Sequence, residues 1–280
     1  MKIAIALGKQ SLKILLVWFM IMLIVGLIAK EPAGIFKWLD LIRAVVAVAL
    51  ALLVYKYTLW LFQPSEFLAS SLHFNHRNFW QGALLGVVLA TPLMLLQFAG
   101  WFNLHFPKPE SFDVMDAVLR ALTLSLVAGV TEELMFRGIL LHAIEKVLGT
   151  WWALSLQAIL FGMLHYVRPD VLLADLIPMI FIGLLLGAAY VLTRNLWFTI
   201  AMHTIYDWIA LSYPGAIESM LKAGIDYEPI EYFVLAMFCV ATLALAMPML
   251  KRARERGHIL LSQRKQSSLP LTNEVVNETM

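Results

Sequence analysis

The stretch VLLADLIPMIFIGLLLGAAYVLT at residues 171–193 decides the fold of this chain. Its only charged side chain is Asp175, and the rest is almost entirely apolar. A helix crosses about 30 Å of hydrocarbon with roughly 20 such residues, at ~1.5 Å per residue. Because no water is present there to pair with the backbone, only helices and closed barrels span a bilayer. The stretch therefore predicts a transmembrane helix.

Further apolar runs of similar length flank this stretch on both sides. With it they give eight predicted spans, at approximately residues 13–30, 42–63, 79–102, 114–135, 150–167, 171–193, 196–213 and 230–250. The composition agrees, since 61% of the residues are hydrophobic and 14% are charged, whereas soluble domains are about half apolar and a quarter charged. We predict an all-α, polytopic membrane helix bundle of about eight transmembrane helices. It forms a single domain over residues 1–250.

Lysine and arginine collect near the two ends of the chain. These residues resist translocation, so their position sets the orientation of the spans. They are Lys2, Lys9 and Lys13 at one end and Lys251, Arg252, Arg254, Arg256, Arg264 and Lys265 at the other. An even number of spans places both sets on one side, and we expect both termini in the cytoplasm. The expected location is a bacterial inner or plasma membrane, with residues 251–280 forming a tail that is basic and then disordered.

Net charge and cysteine content exclude several classes of function. The chain carries 21 Lys+Arg against 19 Asp+Glu, a formal net charge of +2, and so lacks the strong positive excess of nucleic-acid-binding domains. We expect no nucleic-acid partner and attribute the basic ends to topology and to contact with anionic membrane lipid. The single cysteine, Cys239, provides neither a disulfide framework nor a cysteine-based zinc site.

The densest polar cluster within a predicted span is GVTEELMFRG at residues 129–138. A charge in the middle of a bilayer costs about 2.5–3.5 kcal/mol on insertion scales, so such residues are candidates for function. At ~100° per residue, Glu133 and Arg137 share a helix face and suit an ion pair. Glu132 points about 100° away from that face. It is predicted to be the free carboxylate.

Two more polar clusters occur in later spans. Phe161 and His165 are four residues apart in one predicted helix, and His203 and Asp207 have the same spacing in another. Each pair therefore presents its side chains on one face of its helix. Taken alone, a histidine on an apolar helix is more often a hydrogen-bonded structural residue than a catalyst. An isolated histidine–aspartate pair is as readily an interhelical hydrogen-bonding pair.

Taken together, one glutamate, two histidines and one aspartate around a water-accessible cavity supply what peptide hydrolysis requires. They include a base that can deprotonate water and groups that can stabilise an oxyanion. The same residues are compatible with a polar network that fixes helix packing, or with an ion or proton path. The sequence contains neither H-E-x-x-H nor G-x-S-x-G, so zincin and serine-elbow motifs are absent. Periodicity alone leaves the alternatives open.

In chain order, these three clusters resemble the three-motif signature of the CPBP family, the CAAX-processing and bacteriocin-processing intramembrane proteases. The motifs are Glu132-Glu133-x-x-x-Arg137, Phe161-x-x-x-His165 and His203-x-x-x-Asp207. The resemblance covers roughly residues 114–212, each motif lying in its own hydrophobic segment.

The resemblance implies a role for each motif residue. Glu132 and His165 would activate the attacking water, while His203 and Asp207 would stabilise the oxyanion. The remaining motif residues would provide structural support; these are Glu133, Arg137 and Phe161.

Position 207 departs from the family pattern, which most often has asparagine there. Asparagine can donate to an oxyanion, whereas an ionised aspartate cannot. Asp207 would therefore be protonated, orient His203, or ligate a metal. Two histidines and a carboxylate form an acceptable zinc set with water as the fourth ligand. We predict no obligatory cofactor; zinc is the alternative, with candidate ligands Glu132, His165, His203 and Asp207.

The depth of the motifs in the bilayer predicts an irregular helix. If the fourth span starts at Val114, Glu132 lies about 27 Å along it, while His165 lies about 22 Å into the next span, which runs in the opposite direction. Straight, uniform helices would keep these two residues apart. The fourth helix must therefore begin outside the hydrocarbon, continue past Gly138, or bend near Gly129.

The main hypothesis is an intramembrane endopeptidase that hydrolyses a peptide bond of a membrane-associated protein or peptide precursor. Its expected partners are membrane lipid and a peptide or lipid-modified protein substrate. One alternative is a non-catalytic immunity or scaffold protein of the same fold. Another is a transporter, although the chain shows no internal repeat of the kind that many transporters have.

Overall fold

A computed structural model describes Leu16, Met20 and residues 38–61, 71–98, 114–165, 173–212 and 229–260. Of the predicted span at residues 13–30, only Leu16 and Met20 are described. Of the tail predicted over residues 251–280, only residues 251–260 are described. The described helices are α1 (Trp38–Leu61), α2 (His76–Phe98), α3 (Val114–Glu133), a π-helical segment (Leu134–Leu141), α4 (His142–Leu148), α5 (Thr150–His165), α6 (Leu173–Thr193), α7 (Leu196–Leu211) and α8 (Pro229–Glu255).

The all-α prediction is confirmed, because the described part of the chain contains helices and no strand. α3, the π-helical segment and α4 follow one another without a break. Each of the predicted spans from the second to the eighth coincides with a described helix. The predicted tail begins within a helix, since α8 continues through its basic residues to Glu255.

Among the described residues, three helices are long and apolar enough by themselves to cross a membrane. These spans are Trp38–Lys56 in α1, Leu176–Thr193 in α6 and Tyr232–Glu255 in α8. α5 and α7 contain 16 residues each, short of the roughly 20 that cross the hydrocarbon without tilt or flanking residues. α3 carries acidic and basic side chains along its length. The chain is an integral membrane protein in which the more polar helices lie among the apolar ones.

Close approach of helix backbones positions α7, which carries the third sequence motif. α2 presents Gly82 and Gly86, a small-x-x-x-small pair, to α7. A Cβ atom on Gly86 would lie 2.5 Å from the carbonyl oxygen of Met202, and one on Gly82 would overlap the backbone of Phe198. In lipid, where the hydrophobic effect does not drive helices together, such close packing is a main source of helix association.

A polar cluster ties the turn between α6 and α7 to the residues that follow α8. Arg194 forms two hydrogen bonds with the carboxylate of Glu145, at 2.7 and 2.8 Å, and also donates to the carbonyl of His258. Thr150 donates to Glu145 at 2.5 Å and exchanges hydrogen bonds with the backbone of Leu260. We call these five residues the Glu145 cluster. It holds α4, α5, the α6–α7 turn and the C-terminal segment together at one end of the bundle.

Candidate active site

Glu133 and Arg137 form the ion pair that their spacing predicts. Arg137 Nη1 lies 2.7 Å from Glu133 Oε1, and both side chains are fully buried. Burying either charge alone would be costly, so the pair is stable only because each compensates the other. The second nitrogen of the guanidinium, Nη2, donates to the carbonyl of Gly183 on α6 at 2.9 Å. The pair therefore links α3 to α6.

The helix irregularity that the motif depths predict is present. The α-helix ends at Glu133, the turns from Leu134 to Leu141 are π-helical, and the helix then continues to Leu148. π-helical turns are rare and occur frequently at functional sites. The wider turns change the angular spacing of side chains just after Glu132 and Glu133. The helix also continues past Gly138, which is one of the three possibilities that the motif depths allow.

Each ring nitrogen of His203 on α7 faces a carboxylate. Nδ1 lies 2.9 Å from Glu133 Oε1, and an ionised carboxylate only accepts, so Nδ1 is the donor. Nε2 lies 3.3 Å from Asp207 Oδ2 and 4.0 Å from Glu132 Oε2. The imidazole is buried, with 4% of its side chain exposed. The first and third motifs, 70 residues apart in the chain, therefore meet around this one ring.

Glu132 differs from its neighbour in both pairing and exposure. Its side chain is 21% exposed, whereas that of Glu133 is fully buried. Its buried Oε2 atom has no hydrogen-bond partner within the described residues, because 4.0 Å to His203 is too long for a hydrogen bond. The structure thus separates the two adjacent carboxylates as helical geometry predicts: one is held by Arg137 and the other has acceptor capacity.

Phe161 brings the second motif to the site. Its ring centroid lies 5.0 Å from that of His165, 5.9 Å from that of His203 and 4.8 Å from the Arg137 guanidinium carbon. His165 Nδ1 lies 2.9 Å from the carbonyl of Phe161. A carbonyl only accepts, so Nδ1 carries the hydrogen and Nε2 has the free lone pair. The buried Phe161 ring therefore contacts both histidines and links His165 to the rest of the site.

Gln157 is a polar neighbour of the site that the sequence motifs do not include. Its side chain is fully buried, and Nε2 donates to the carbonyl of Gly183 at 2.9 Å, the same oxygen that accepts from Arg137. A signal for it exists in the sequence. Gln157 lies four residues before Phe161 and eight before His165, on the same face of an apolar helix.

The candidate metal ligands do not fit a metal centre as they are arranged. Within the described residues, no group of three or more His, Cys, Asp or Glu side chains is placed to hold a metal ion. Nδ1 of His203 is used by Glu133, and Nε2 lies 3.3 Å from Asp207 Oδ2. Zinc therefore enters none of the steps proposed below.

Comparison with known proteins agrees with this geometry. Residues 114–209 match the family model described as "Type II CAAX prenyl endopeptidase Rce1-like", and the matched segment contains all three motifs. No curated protein matches the chain. The resemblance to the CPBP proteases is confirmed over the matched segment, which is about a third of the chain. Residues 114–209, from α3 to α7, are therefore similar to the Rce1-like domain of type II CAAX prenyl endopeptidases.

Proposed function

We propose that the chain is an intramembrane endopeptidase in which Glu132 activates water for attack on a peptide bond of a membrane-tethered substrate. The observation that carries the proposal is the unpaired Glu132 carboxylate oxygen, 4.0 Å from Nε2 of His203. This arrangement places a candidate base and a candidate hydrogen-bond donor side by side. The family match supports a substrate that ends in a prenylated CAAX sequence.

In the proposed reaction, Glu132 takes a proton from water as the water oxygen bonds to the carbonyl carbon of the scissile peptide. Nε2 of His203, the ring nitrogen that Glu133 does not use, donates a hydrogen bond to the oxyanion that forms. The C–N bond then breaks, and Glu132 returns the proton to the leaving amine. One water is consumed, and a carboxylic acid and an amine are released.

His165 and Asp207 have assisting roles in this proposal. His165 has a free lone pair on Nε2, because its Nδ1 hydrogen is used by Phe161, and it would accept a hydrogen bond from the attacking water. Asp207 would orient His203 in the resting protein by accepting the Nε2 hydrogen, since its Oδ2 lies 3.3 Å from Nε2. This long contact would give way when the same hydrogen is donated to the oxyanion. This role explains how aspartate can function where the family most often has asparagine: it needs only to accept.

We further propose that both termini face the cytoplasm. The α6–α7 turn and the residues following α8 meet in the Glu145 cluster, at one end of the bundle. The same end of α8 exposes four basic side chains, which are Lys251, Arg252, Arg254 and Arg256. A basic rim of this kind is typical of the cytoplasmic side.

The test uses purified protein in nanodiscs and a fluorogenic peptide that ends in a farnesylated CAAX sequence. The wild type should cleave the peptide, while Glu132→Gln should lose at least about 100-fold in rate, because general base catalysis typically contributes 10²–10⁴-fold. Thermal unfolding should be nearly unchanged in Glu132→Gln, since this side chain is partly exposed and unpaired.

Two controls separate the parts of the proposal. The same peptide without the farnesyl group tests whether the lipid is needed for recognition. Ser155→Ala, on the exposed face of α5, should cleave at the wild-type rate. Full activity of folded Glu132→Gln would refute the role of Glu132. A phenotype of the intact protein that is unchanged by replacing both Glu132 and His165 would favour a non-catalytic scaffold.

A further inference from the structure

Gln157 and Arg137 hold the same carbonyl oxygen from two different helices. Gln157 Nε2 on α5 and Arg137 Nη2 in the π-helical segment each donate to Gly183 O at 2.9 Å. Arg137 in turn holds Glu133 at 2.7 Å, and Glu133 holds Nδ1 of His203 at 2.9 Å. A continuous chain of buried hydrogen bonds thus runs from α5 to the imidazole on α7.

The space around Gln157 favours the hydrogen bond from its amide to the Gly183 carbonyl. Its amide lies over Gly187, where a Cβ atom would be 2.5 Å from Nε2. Its Nε2 also contacts the carbonyl of Leu154 at 3.2 Å. With glycine at position 187, the amide can reach Gly183, one turn earlier on α6. A larger side chain at 187 would displace it.

Packing of α5 against α6 does not require an amide at this position. Elsewhere in the contact, Gly162 lies against Ile180, and Gly183 lies against Ala158, so close backbone packing already joins the two helices. Burying an amide costs free energy unless it is well hydrogen-bonded. The Oε1 atom of Gln157 has no hydrogen-bond partner within the described residues. An apolar side chain of similar size would pack here without that cost, so the amide calls for a specific explanation.

We propose that Gln157 is a positioning residue that fixes the Arg137 guanidinium and, through Glu133, the orientation of His203. This inference rests on the proposed function for its effect on catalysis, but its effect on His203 is independent of that function. By sharing Gly183 O, Gln157 restricts the orientation that the guanidinium adopts. At metal sites, residues that orient the ligands from behind typically contribute about 10–100-fold to activity, and we expect a loss of similar size here. Gln157 does not contact the substrate in this proposal.

The test replaces Gln157 with Met, which has a similar volume and no amide. In the farnesylated-peptide assay, Gln157→Met should lower kcat about 10–100-fold and leave KM unchanged. The matched control on the same helix is Ser155→Ala, whose hydroxyl only returns to the Trp151 carbonyl. It should change neither constant. If Gln157→Met does not yield folded protein, Gln157→Leu serves in its place.

A second readout does not depend on cleavage. Selective ¹⁵N labelling of the seven histidines, with His203→Gln used for assignment, reports the hydrogen bonds of the His203 ring. Gln157→Met should shift the His203 ring nitrogen signals, whereas Ser155→Ala should leave them in place. A role limited to helix packing would lower thermal stability without moving these signals, and unchanged signals would overturn the inference.

A double variant tests the path through Arg137. If Gln157 acts through the guanidinium, adding Gln157→Met to Arg137→Lys should cause little further loss of kcat and little further shift of the His203 signals. If the two substitutions lower kcat independently, so that their effects multiply, then Gln157 does not act through Arg137. If the wild type cleaves no peptide, the proposed function fails, and the His203 signals still decide the role of Gln157.

Discussion

At the scale of single residues, the two adjacent glutamates of the site differ in their pairing and in their exposure. Glu133 Oε1 accepts from both Arg137 and His203 and is fully buried. Glu132 is partly exposed and has an oxygen with no hydrogen-bond partner in the described part of the chain. The two positions should therefore respond differently to substitution: one in stability and the other in activity.

Arg137→Ala should destabilise the protein strongly. It leaves the Glu133 carboxylate buried with its counter-charge removed, and breaking a buried pair in this way costs about 3–5 kcal/mol. The double variant Glu133→Gln with Arg137→Met removes both charges and should recover part of that loss. Chemical unfolding in detergent micelles measures both values. Equal destabilisation of the single and double variants would contradict the pairing argument.

His142 should make the protein less stable in mild acid. It lies between the predicted spans, and burial, with Lys146 and Arg194 nearby, lowers its pKa to about 3. The unfolded chain takes up a proton near the ordinary histidine pKa of about 6.5, but the folded protein does not until about pH 3. The contribution of His142 to stability is thus full above pH 6.5 and declines as pH falls from there toward 3.

The measurement compares the wild type with His142→Gln by chemical unfolding at pH 7.5 and pH 5. The wild type should lose more stability between these two values than the variant, by about 1.4 kcal/mol per pH unit below the unfolded pKa. Parallel losses in the two proteins would show that His142 does not carry this pH dependence.

At the scale of helices, the geometry of the candidate site depends on how closely α7 approaches its neighbours. α7 carries both His203 and Asp207, and α2 packs against it through glycine. The π-helical segment has a related role, because it begins directly after Glu133 and contains Arg137. The position of α7 thus depends on the glycines of α2, and the position of Arg137 depends on the π-helical turns that contain it.

Gly86→Leu should reduce both stability and cleavage. Its Cβ would lie 2.5 Å from the Met202 carbonyl oxygen and 3.1 Å from the Ile205 side chain, so α7 must move away. Overpacking of this kind typically costs 1–3 kcal/mol. Leu84→Ala, on the exposed face of the same helix, is the matched control. A Gly86→Leu protein with wild-type stability and kcat would show that α7 does not need this close contact.

At the scale of the whole molecule, the Glu145 cluster closes the bundle at one end. Glu145 is buried and lies 49 residues before Arg194, which in turn contacts His258, 64 residues later. Arg194 also has a φ of 51°, which a residue with a side chain rarely adopts. The bidentate pair with Glu145 and the bond to His258 compensate the cost of that conformation.

Glu145→Gln should loosen the segment that follows α8. The change removes the charge that holds Arg194, and Arg194 and Thr150 together hold residues 258–260. Limited trypsin digestion should cleave at Arg256 about tenfold faster if the segment loses about 1.4 kcal/mol of local stability. Glu255→Gln, an exposed carboxylate at the end of α8, is the control. Equal cleavage rates in the two variants would contradict a role for the cluster in holding this segment.

Local periodicity in the sequence was enough to predict several features of the protein. Apolar runs of span length predicted the membrane helices, because lipid requires every backbone group to be paired within them. The four-residue spacing predicted the Glu133–Arg137 pair and left Glu132 free, because a helix repeats every ~3.6 residues. The conflict in motif depth predicted that the helix begins outside the hydrocarbon, bends near Gly129 or continues past Gly138, and it does continue past Gly138, through π-helical turns.

Only the tertiary structure decided which groups meet across helices. The bond from His203 to Glu133, the shared Gly183 oxygen and the contact of Arg194 with His258 join residues separated by 70, 46 and 64 positions. No periodic pattern encodes such contacts, because they depend on how closely, and at what height, one helix packs against another. The spacing of Gln157 from Phe161 indicates a shared helix face, but only the packing of α5 against α6 brings its amide to the Gly183 oxygen.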